Sequence, residues 1–337
     1  MNAIERYHAA LAGQPVDRLP CHPLTMMFAS RLIGRTFYDY VTDYRVLAEG
    51  QLAVVERFGI DFVSTISDPC REVHDLGGTC TYFEDEAPAN EQRHALLRDK
   101  SVLAGLTVPD PLGGGRMHDR VKGVELLRQR VGGEMSVLGW VEGPMAMAVD
   151  LRGMESLMMD TVDDPTFVTD LFEFSVAMEL EFAKVQLEAG ADSIGVGDAA
   201  ASLIGAETYA DLVLPHAQRL VQTIRSWGAK VRLHVCGRTT HLFEHFATLG
   251  CELVDVDYLG DLATARRELP ETALLGNIDP VSVLFQASPE VVAARLAECH
   301  AVCGTRFVVG AGCEVPKQTP HENLRALVDY ARHGGWS

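Results

Sequence analysis

Short apolar runs alternate with longer amphipathic segments along almost the whole chain. Several apolar runs are continuous rather than alternating, which is typical of strands covered on both faces of a sheet. These runs predict eight strands: Leu19–Met26, Ile60–Ile66, Ser136–Val141, Ser193–Gly197, Val231–Val235, Leu253–Tyr258, Leu274–Ile278 and Arg306–Gly310.

The amphipathic segments have helical spacing of their apolar positions, and glycine follows several of them, as is common at helix ends. They predict the helices Asp43–Phe58, Asp164–Ala189, Glu207–Trp227, Thr240–Thr248, Pro289–Val302 and His321–Arg332. Strands and helices alternate without interruption from Asp164 onward. This order favours a (β/α)8 TIM barrel formed by a single domain over residues 1–337, with an open doubly wound sheet as the second choice.

Residues 68–130 interrupt the alternation. They contain a strand-like run, Thr79–Glu84, and a glycine-rich loop at Gly113–Gly115. That loop lacks the preceding strand and the following Lys-Ser/Thr of a phosphate-binding loop. We expect this segment to be an insertion or cap between early barrel strands rather than a second domain.

The charge of the chain narrows the classes of partner. Its 337 residues carry 29 Lys and Arg against 47 Asp and Glu, a net charge of −18. Nucleic acid and anionic membrane surfaces are therefore not expected partners, because both require a basic face. The N-terminus lacks the apolar core of a signal peptide, and no apolar run approaches the ~20 residues that span a bilayer. We expect a cytoplasmic protein.

Eight cysteines in a chain of this length are too few for a disulfide-built scaffold. They are therefore interpreted as core residues, metal ligands or nucleophiles. Cys299 and Cys303 lie on a predicted helix and are interpreted as core. Cys70 and Cys80 lie in the irregular segment, where a second site stays open as an alternative.

Polar side chains follow the predicted strands at the end where a barrel holds its reactive groups. Glu142 and Asp198 are the candidate catalytic residues, and Tyr258 and Asn277 are the candidate substrate-binding residues.

The most specific pattern is His234-Val235-Cys236. Residues two apart on a strand face the same side, so the imidazole and the thiol would project together into the barrel mouth. Cys313 follows the last predicted strand. One imidazole and two thiolates suit Zn²⁺ and leave a fourth tetrahedral position open, as in a catalytic site. The alternative is that these residues are core, since free cysteine packs as a small apolar side chain.

These motifs resemble those of the uroporphyrinogen decarboxylase superfamily. The resemblance extends from Ala10–Pro20 (ALAGQPVDRLP) to Asn323–Arg332, through Gly143–Ala148 (GPMAMA), His234–Gly237 (HVCG), Gly276–Pro280 (GNIDP) and Gly312–Leu324 (GCEVPKQTPHENL). HVCG together with the late GC-x-x-P is similar to the zinc motif HxC…C of the methylcobamide:coenzyme M methyltransferase branch. The resemblance implies a TIM barrel with zinc ligands His234, Cys236 and Cys313.

The decarboxylase branch fits less well. Its arginine-rich RQAGRY segment should follow the DR-x-P start, but the chain reads CHPLTMMFASRLIG there. A porphyrinogen with many carboxylates would need cations that this region does not supply.

The resemblance implies a zinc-dependent methyltransferase that works with a corrinoid. The methyl group could move from the corrinoid to a small-molecule thiol, or from a methoxy or methylthio compound to Co(I). The DxHxxG pattern that ligates cobalt in the family's partner domain is missing, so the corrinoid (cobalamin) is expected to arrive on a separate corrinoid-binding protein. A non-catalytic zinc-binding barrel is the alternative from another class.

Overall fold

A curled parallel sheet of seven strands forms the centre of the protein. The structure is a computed structural model that describes residues 1–334. Seven strands pair in chain order, β1-β4-β5-β6-β7-β8-β9, and a separate two-stranded hairpin pairs β2 with β3. The alternation of strands and helices predicted from the sequence is confirmed. The strands are β1 (Phe62–Ser64), β2 (Cys80–Thr81), β3 (Ala89–Asn90), β4 (Ser136–Glu142), β5 (Ser193–Gly197), β6 (Lys230–Val235), β7 (Leu253–Val256), β8 (Ala273–Leu275) and β9 (Phe307–Val308).

Helices connect consecutive strands, as parallel pairing requires. Residues 209–213 continue α10 into α11 with a wider π-type turn. The helices are α1 (Ala3–Leu11), α2 (Met26–Leu32), α3 (Phe37–Thr42), α4 (Tyr44–Phe58), α5 (Cys70–Asp75), α6 (Arg116–Val131), α7 (Pro144–Arg152), α8 (Met154–Asp163), α9 (Pro165–Glu188), α10 (Ala206–Thr208), α11 (Leu214–Ser226), α12 (Phe243–Leu249), α13 (Leu262–Glu268), α14 (Pro289–Cys303) and α15 (His321–His333).

The predicted strand Leu19–Met26 is wrong in extent. Only residues 20–22 run beside the sheet: Cys21 forms one parallel bridge with Val309, and the Asp61 N–H donates to the Cys21 carbonyl at 3.0 Å. The strand cannot continue, because Pro20 and Pro23 have no N–H to donate and α2 begins at Met26. These few hydrogen bonds nevertheless connect β9 with the residue before β1, the two edges of the sheet.

Aromatic rings fill the interior toward the N-terminal ends of the strands. Tyr7 of α1 stacks on His22 at a centroid distance of 4.3 Å, and His22 stacks on Phe62 at 4.5 Å. The Arg232 guanidinium lies 5.6 Å from the Phe62 ring. This end of the interior is therefore a packed core.

Residues 68–130 contain α5, the small hairpin, two short 3-10 turns and α6. The hairpin strand β2 occupies two residues of the predicted run Thr79–Glu84. Helix α6 packs against β1 and β4 and so occupies the position of a crossover helix. Among residues 1–334, no helix is both long enough and apolar enough to cross a lipid bilayer.

Candidate active site

Two strand ends bring together the three predicted metal ligands. His234 lies near the end of β6, and Cys236 follows that strand directly. Cys313 arrives from the segment after β9, where Gly312 adopts a positive φ of 78°. A Cβ atom on Gly312 would lie 2.2 Å from the carbonyl oxygen of Val256, so only glycine lets this segment pass so close to the end of β7.

The three side chains converge on one point. His234 Nε2 lies 3.0 Å from Cys236 Sγ, and Cys236 Sγ lies 3.5 Å from Cys313 Sγ. All three ligand atoms are within 4.8 Å of one another. One nitrogen and two sulfur donors at this spacing fit a soft divalent metal such as Zn²⁺, and the group formed by the described residues includes no fourth His, Cys, Asp or Glu ligand.

The ionisation of this group favours cation binding. Hydrogen bonds from Cys236 and His234 to the Cys313 thiolate lower the pKa of Cys313 to about 4. Burial opposes charge on His234, but electrostatic attraction to the Cys236 sulfur and the hydrogen bond to Asp255 raise the His234 pKa well above its usual value. Protons on the imidazole and on one thiol are thus what a metal ion would displace.

A buried carboxylate supports the imidazole from behind. Asp255 of β7 lies opposite His234 in the strand register, and its Oδ2 is 2.7 Å from His234 Nδ1. The same carboxylate accepts from Nε of Arg232 at 2.9 and 3.0 Å. The sequence analysis did not identify Asp255. The available signal was an acidic residue in the interior of the predicted strand Leu253–Tyr258.

Glu142 lies level with His234 across β5, because Glu142 pairs with Gly197 and Gly197 pairs with His234. Its Oε1 accepts from Arg71 Nη2 at 2.7 Å, and the side chain is buried. Burial raises the pKa of Glu142 to about 8, although the Arg71 charge opposes the shift. Arg71 also pairs with Glu72 at 3.2 Å, and the sequence offered no signal for this cation.

Asp198 follows β5 and faces the start of α7. Its Oδ1 accepts from the Ala146 N–H at 2.7 Å, which satisfies one of the free amides at the helix N-terminus. Burial raises its pKa to about 7, against these amide donors. Asp198 thus positions α7 as well as lying at the predicted end of the sheet.

Glu314 directly follows Cys313. Its Oε1 accepts from the Met27 N–H at 2.8 Å at the start of α2. Burial raises the pKa of Glu314 to about 7, and the negative charge of Cys313 adds to this shift. A half-buried acid with a raised pKa therefore lies next to the proposed metal ligand Cys313.

Comparison with known proteins identifies the family. The model of the family "Uroporphyrinogen decarboxylase (URO-D)" matches residues 2–334. The chain belongs to the uroporphyrinogen decarboxylase family. The resemblance found in the sequence motifs is thereby confirmed.

Relatives in this family are named for two different activities, methyl transfer and decarboxylation. A methylcobamide:CoM methyltransferase, MtbA of Methanosarcina mazei, is 28% identical over 340 residues, covering 98% of this chain and 97% of the relative. A uroporphyrinogen decarboxylase of Anaeromyxobacter dehalogenans is 24% identical over 353 residues, covering 98% of this chain and 99% of the relative.

A solved structure described as a methyltransferase from Methanosarcina mazei superposes with a TM-score of 0.90 at 22% identity, with full coverage of both chains. At this identity the superposition establishes a shared fold.

The predicted substrate-binding residues of this family member lie at the same edge of the sheet but apart from the metal-ligand group. Tyr258 is 44% exposed in the turn after β7. The Asn277 side-chain amide donates to the carbonyls of Gly260 at 2.8 Å and of Asp257 at 3.3 Å. Asn277 therefore holds that turn in place.

The remaining cysteines considered in the sequence analysis lie away from the group. Cys70 and Cys80 both contact Asn90 Oδ1, at 3.0 and 3.4 Å. Cys299 and Cys303 are buried in the core, as predicted. Within the described part of the chain, only His234, Cys236 and Cys313 form a group of three or more metal-ligating side chains.

Proposed function

We propose that this protein is a zinc-dependent methyltransferase that moves a methyl group between a protein-bound corrinoid and a small-molecule thiol. The observation that carries the proposal is the convergence of His234, Cys236 and Cys313 at the edge of the sheet. Full-length relatives named methylcobamide:CoM methyltransferases support it. Decarboxylation does not require such a group of soft ligands.

His234, Cys236 and Cys313 would hold the zinc ion. When bound, Zn²⁺ would lower the pKa of a substrate thiol at its free position, so that the thiol reacts as the thiolate. The thiolates of Cys236 and Cys313 would offset the charge of the ion and would thereby keep the substrate sulfur electron-rich. Trp140 lies edge-on to the His234 ring at 5.8 Å and restricts movement of the imidazole.

We propose that Glu142 orients the substrate or takes up its proton. Arg71 fixes Oε1, and Oε2 faces β5, where a Cβ on Gly197 would lie only 3.1 Å away. The absence of a side chain at Gly197 thus leaves room beside Oε2. Asp198 would act beside Glu142 by holding the start of α7. A proton on the Asp198 carboxyl would keep this buried side chain neutral.

Tyr258 and Asn277 are proposed to contribute to substrate binding at the C-terminal ends of the strands. Asn277 would act through the turn that its amide holds, and the exposed Tyr258 ring would provide the contact surface.

We further propose that the sheet functions as a closed (β/α)8 barrel, with residues 20–22 in the eighth strand position and residues 68–130 as an elaboration of one domain. The corrinoid would be delivered by a separate protein, since the family's DxHxxG cobalt motif is missing from the sequence.

The test uses purified zinc-loaded protein, methylcobalamin and a panel of thiols. We expect conversion of methyl-Co(III) to cob(I)alamin, seen by its absorption spectrum. Cys236→Ala and Cys313→Ala should lose both bound zinc and activity, whereas Cys251→Ala, which removes a buried thiol elsewhere, should retain both. Full zinc occupancy in both ligand variants would refute the assignment.

The reverse direction is tested with cob(I)alamin and a panel of methoxy and methylthio compounds. Demethylated product that appears only with Co(I) would establish the demethylase alternative. Decarboxylation of a porphyrinogen by the metal-free protein would overturn the methyltransferase proposal.

A further inference from the structure

Asp255 and Arg232 form a buried pair directly behind the proposed metal ligand His234. Arg232 and His234 are two residues apart on β6 and therefore face the same side of the sheet. Asp255 of β7 is the register partner of His234. Both members of the pair are almost fully buried, with side-chain exposure of 1% each.

The hydrogen bonds of Asp255 define the orientation of the imidazole. Asp255 Oδ2 contacts His234 Nδ1 at 2.7 Å, while His234 Nε2 points at Cys236 Sγ, 3.0 Å away. An ionised carboxylate only accepts hydrogen bonds, so Nδ1 must carry the proton. When a metal ion displaces the other ring proton, Nε2 presents its lone pair toward the two cysteines.

Arg232 supplies the positive charge that pairs with a carboxylate this deeply buried. Its Nε donates to both oxygens of Asp255, at 2.9 and 3.0 Å. Among the described residues, Arg232 Nη1 and Nη2 have no hydrogen-bond partner, and the guanidinium lies over the Phe62 ring. Asp255 is thus the single acceptor of this cation, and a buried charge is stable only when it is paired.

We propose that Asp255, held by Arg232, is a positioning residue that fixes the tautomer and ring orientation of His234 for metal binding. The inference rests on the metal site of the proposed function. A carboxylate behind a metal-bound histidine raises the donor strength of the imidazole, and its loss typically weakens metal affinity about 10–100-fold. Arg232 would limit this effect, because it competes for the same carboxylate.

The experiment measures the affinity of the purified protein for Zn²⁺ by competition with a chromophoric chelator. Asp255→Asn leaves one acceptor oxygen for two donors, so we expect the Kd for zinc to rise about 10–100-fold. Absorption of the Co²⁺-substituted protein should also change, since ligand-field bands report the geometry of the histidine ligand. Asp257→Asn is the matched control: Asp257 is also buried, and its Oδ1 accepts from the Leu259 N–H at 2.9 Å rather than contacting His234.

A second variant separates positioning from folding. Asp255→Asn alone leaves the Arg232 charge unpaired, whereas Asp255→Asn combined with Arg232→Met removes both charges. We expect the double variant to regain stability toward urea but to keep the weakened zinc affinity and the altered Co²⁺ spectrum.

Wild-type zinc affinity and an unchanged Co²⁺ spectrum in both variants would overturn the positioning role while leaving the metal site intact. Failure of the unaltered protein to bind zinc, or unchanged binding by Cys313→Ala, would instead refute the proposed metal site and this inference with it.

Discussion

The titration of Asp198 should leave a measurable signature in the stability of the protein. Asp198 is 3% exposed, and burial raises its pKa from 3.8 to about 7. Between these two pKa values the folded chain holds a proton on Asp198 that the unfolded chain has lost. The contribution of Asp198 to stability is therefore present at low pH and is lost as the pH rises toward about 7.

Asp198→Asn removes this titration but keeps an oxygen that accepts from the Ala146 N–H. Stability changes by about 1.4 kcal/mol for each pH unit over which the folded and unfolded states differ by one proton. From about pH 5 to about pH 7 the variant should thus gain about 2 kcal/mol relative to the unaltered protein, because the slope falls to half as the folded-state carboxyl becomes half-ionised near pH 7. Glu314 titrates in both proteins and cancels in this difference, whereas the charge of Asp198 contributes to the raised pKa of Glu142, so Asp198→Asn should also lower the Glu142 pKa.

The assay is urea unfolding followed by circular dichroism at intervals between about pH 5 and about pH 8. Asp17→Asn is the control, because hydrogen bonding to Arg6 lowers the pKa of Asp17 to about 2, outside this range. Its difference from the unaltered protein should stay constant. A constant difference for Asp198→Asn as well would refute the reasoning, because it would mean that Asp198 is ionised throughout.

Two further substitutions test the packing around the site. Gly195→Ala would place a Cβ 2.2 Å from the Trp140 ring, and we expect overpacking to cost about 1–3 kcal/mol in urea unfolding. Gly205→Ala, where no atom lies within 4 Å, should be close to neutral; equal effects at the two positions would contradict this account. Asn277→Ala should speed amide hydrogen exchange in the turn ending at Gly260, and unchanged exchange would show that other contacts hold that turn.

The parts of the fold that local pattern determines were predicted from the sequence. The continuous apolar run Ser193–Gly197 predicted β5 with its observed bounds, because a strand buried on both faces needs no polar positions. His234 and Cys236 converge as predicted because they are two residues apart along one chain segment. Strand Leu19–Met26 was overextended, since its apolar composition outweighed two prolines in the prediction.

The missed parts depend on contacts between distant segments. Asp255 faces His234 only because β6 and β7 pair in one particular register, which sequence spacing does not reveal. Arg71 reaches Glu142 because α5 is folded over the sheet, 71 residues away along the chain. Likewise, the contact of Asp198 with the start of α7 depends on the loop after β5 meeting the loop after β4.

The link between the two sheet edges has a consequence for how the chain folds during synthesis. Residues 20–22 hydrogen-bond both to Asp61, beside β1, and to Val309, beyond β9. On the ribosome, residues 20–22 and β1 are both complete about 250 residues before Val309 emerges, which is roughly 12–50 s at about 5–20 residues per second. An unpaired strand edge is a template for association with other chains during that interval. This edge therefore stays open until the last tenth of the sequence has been synthesised.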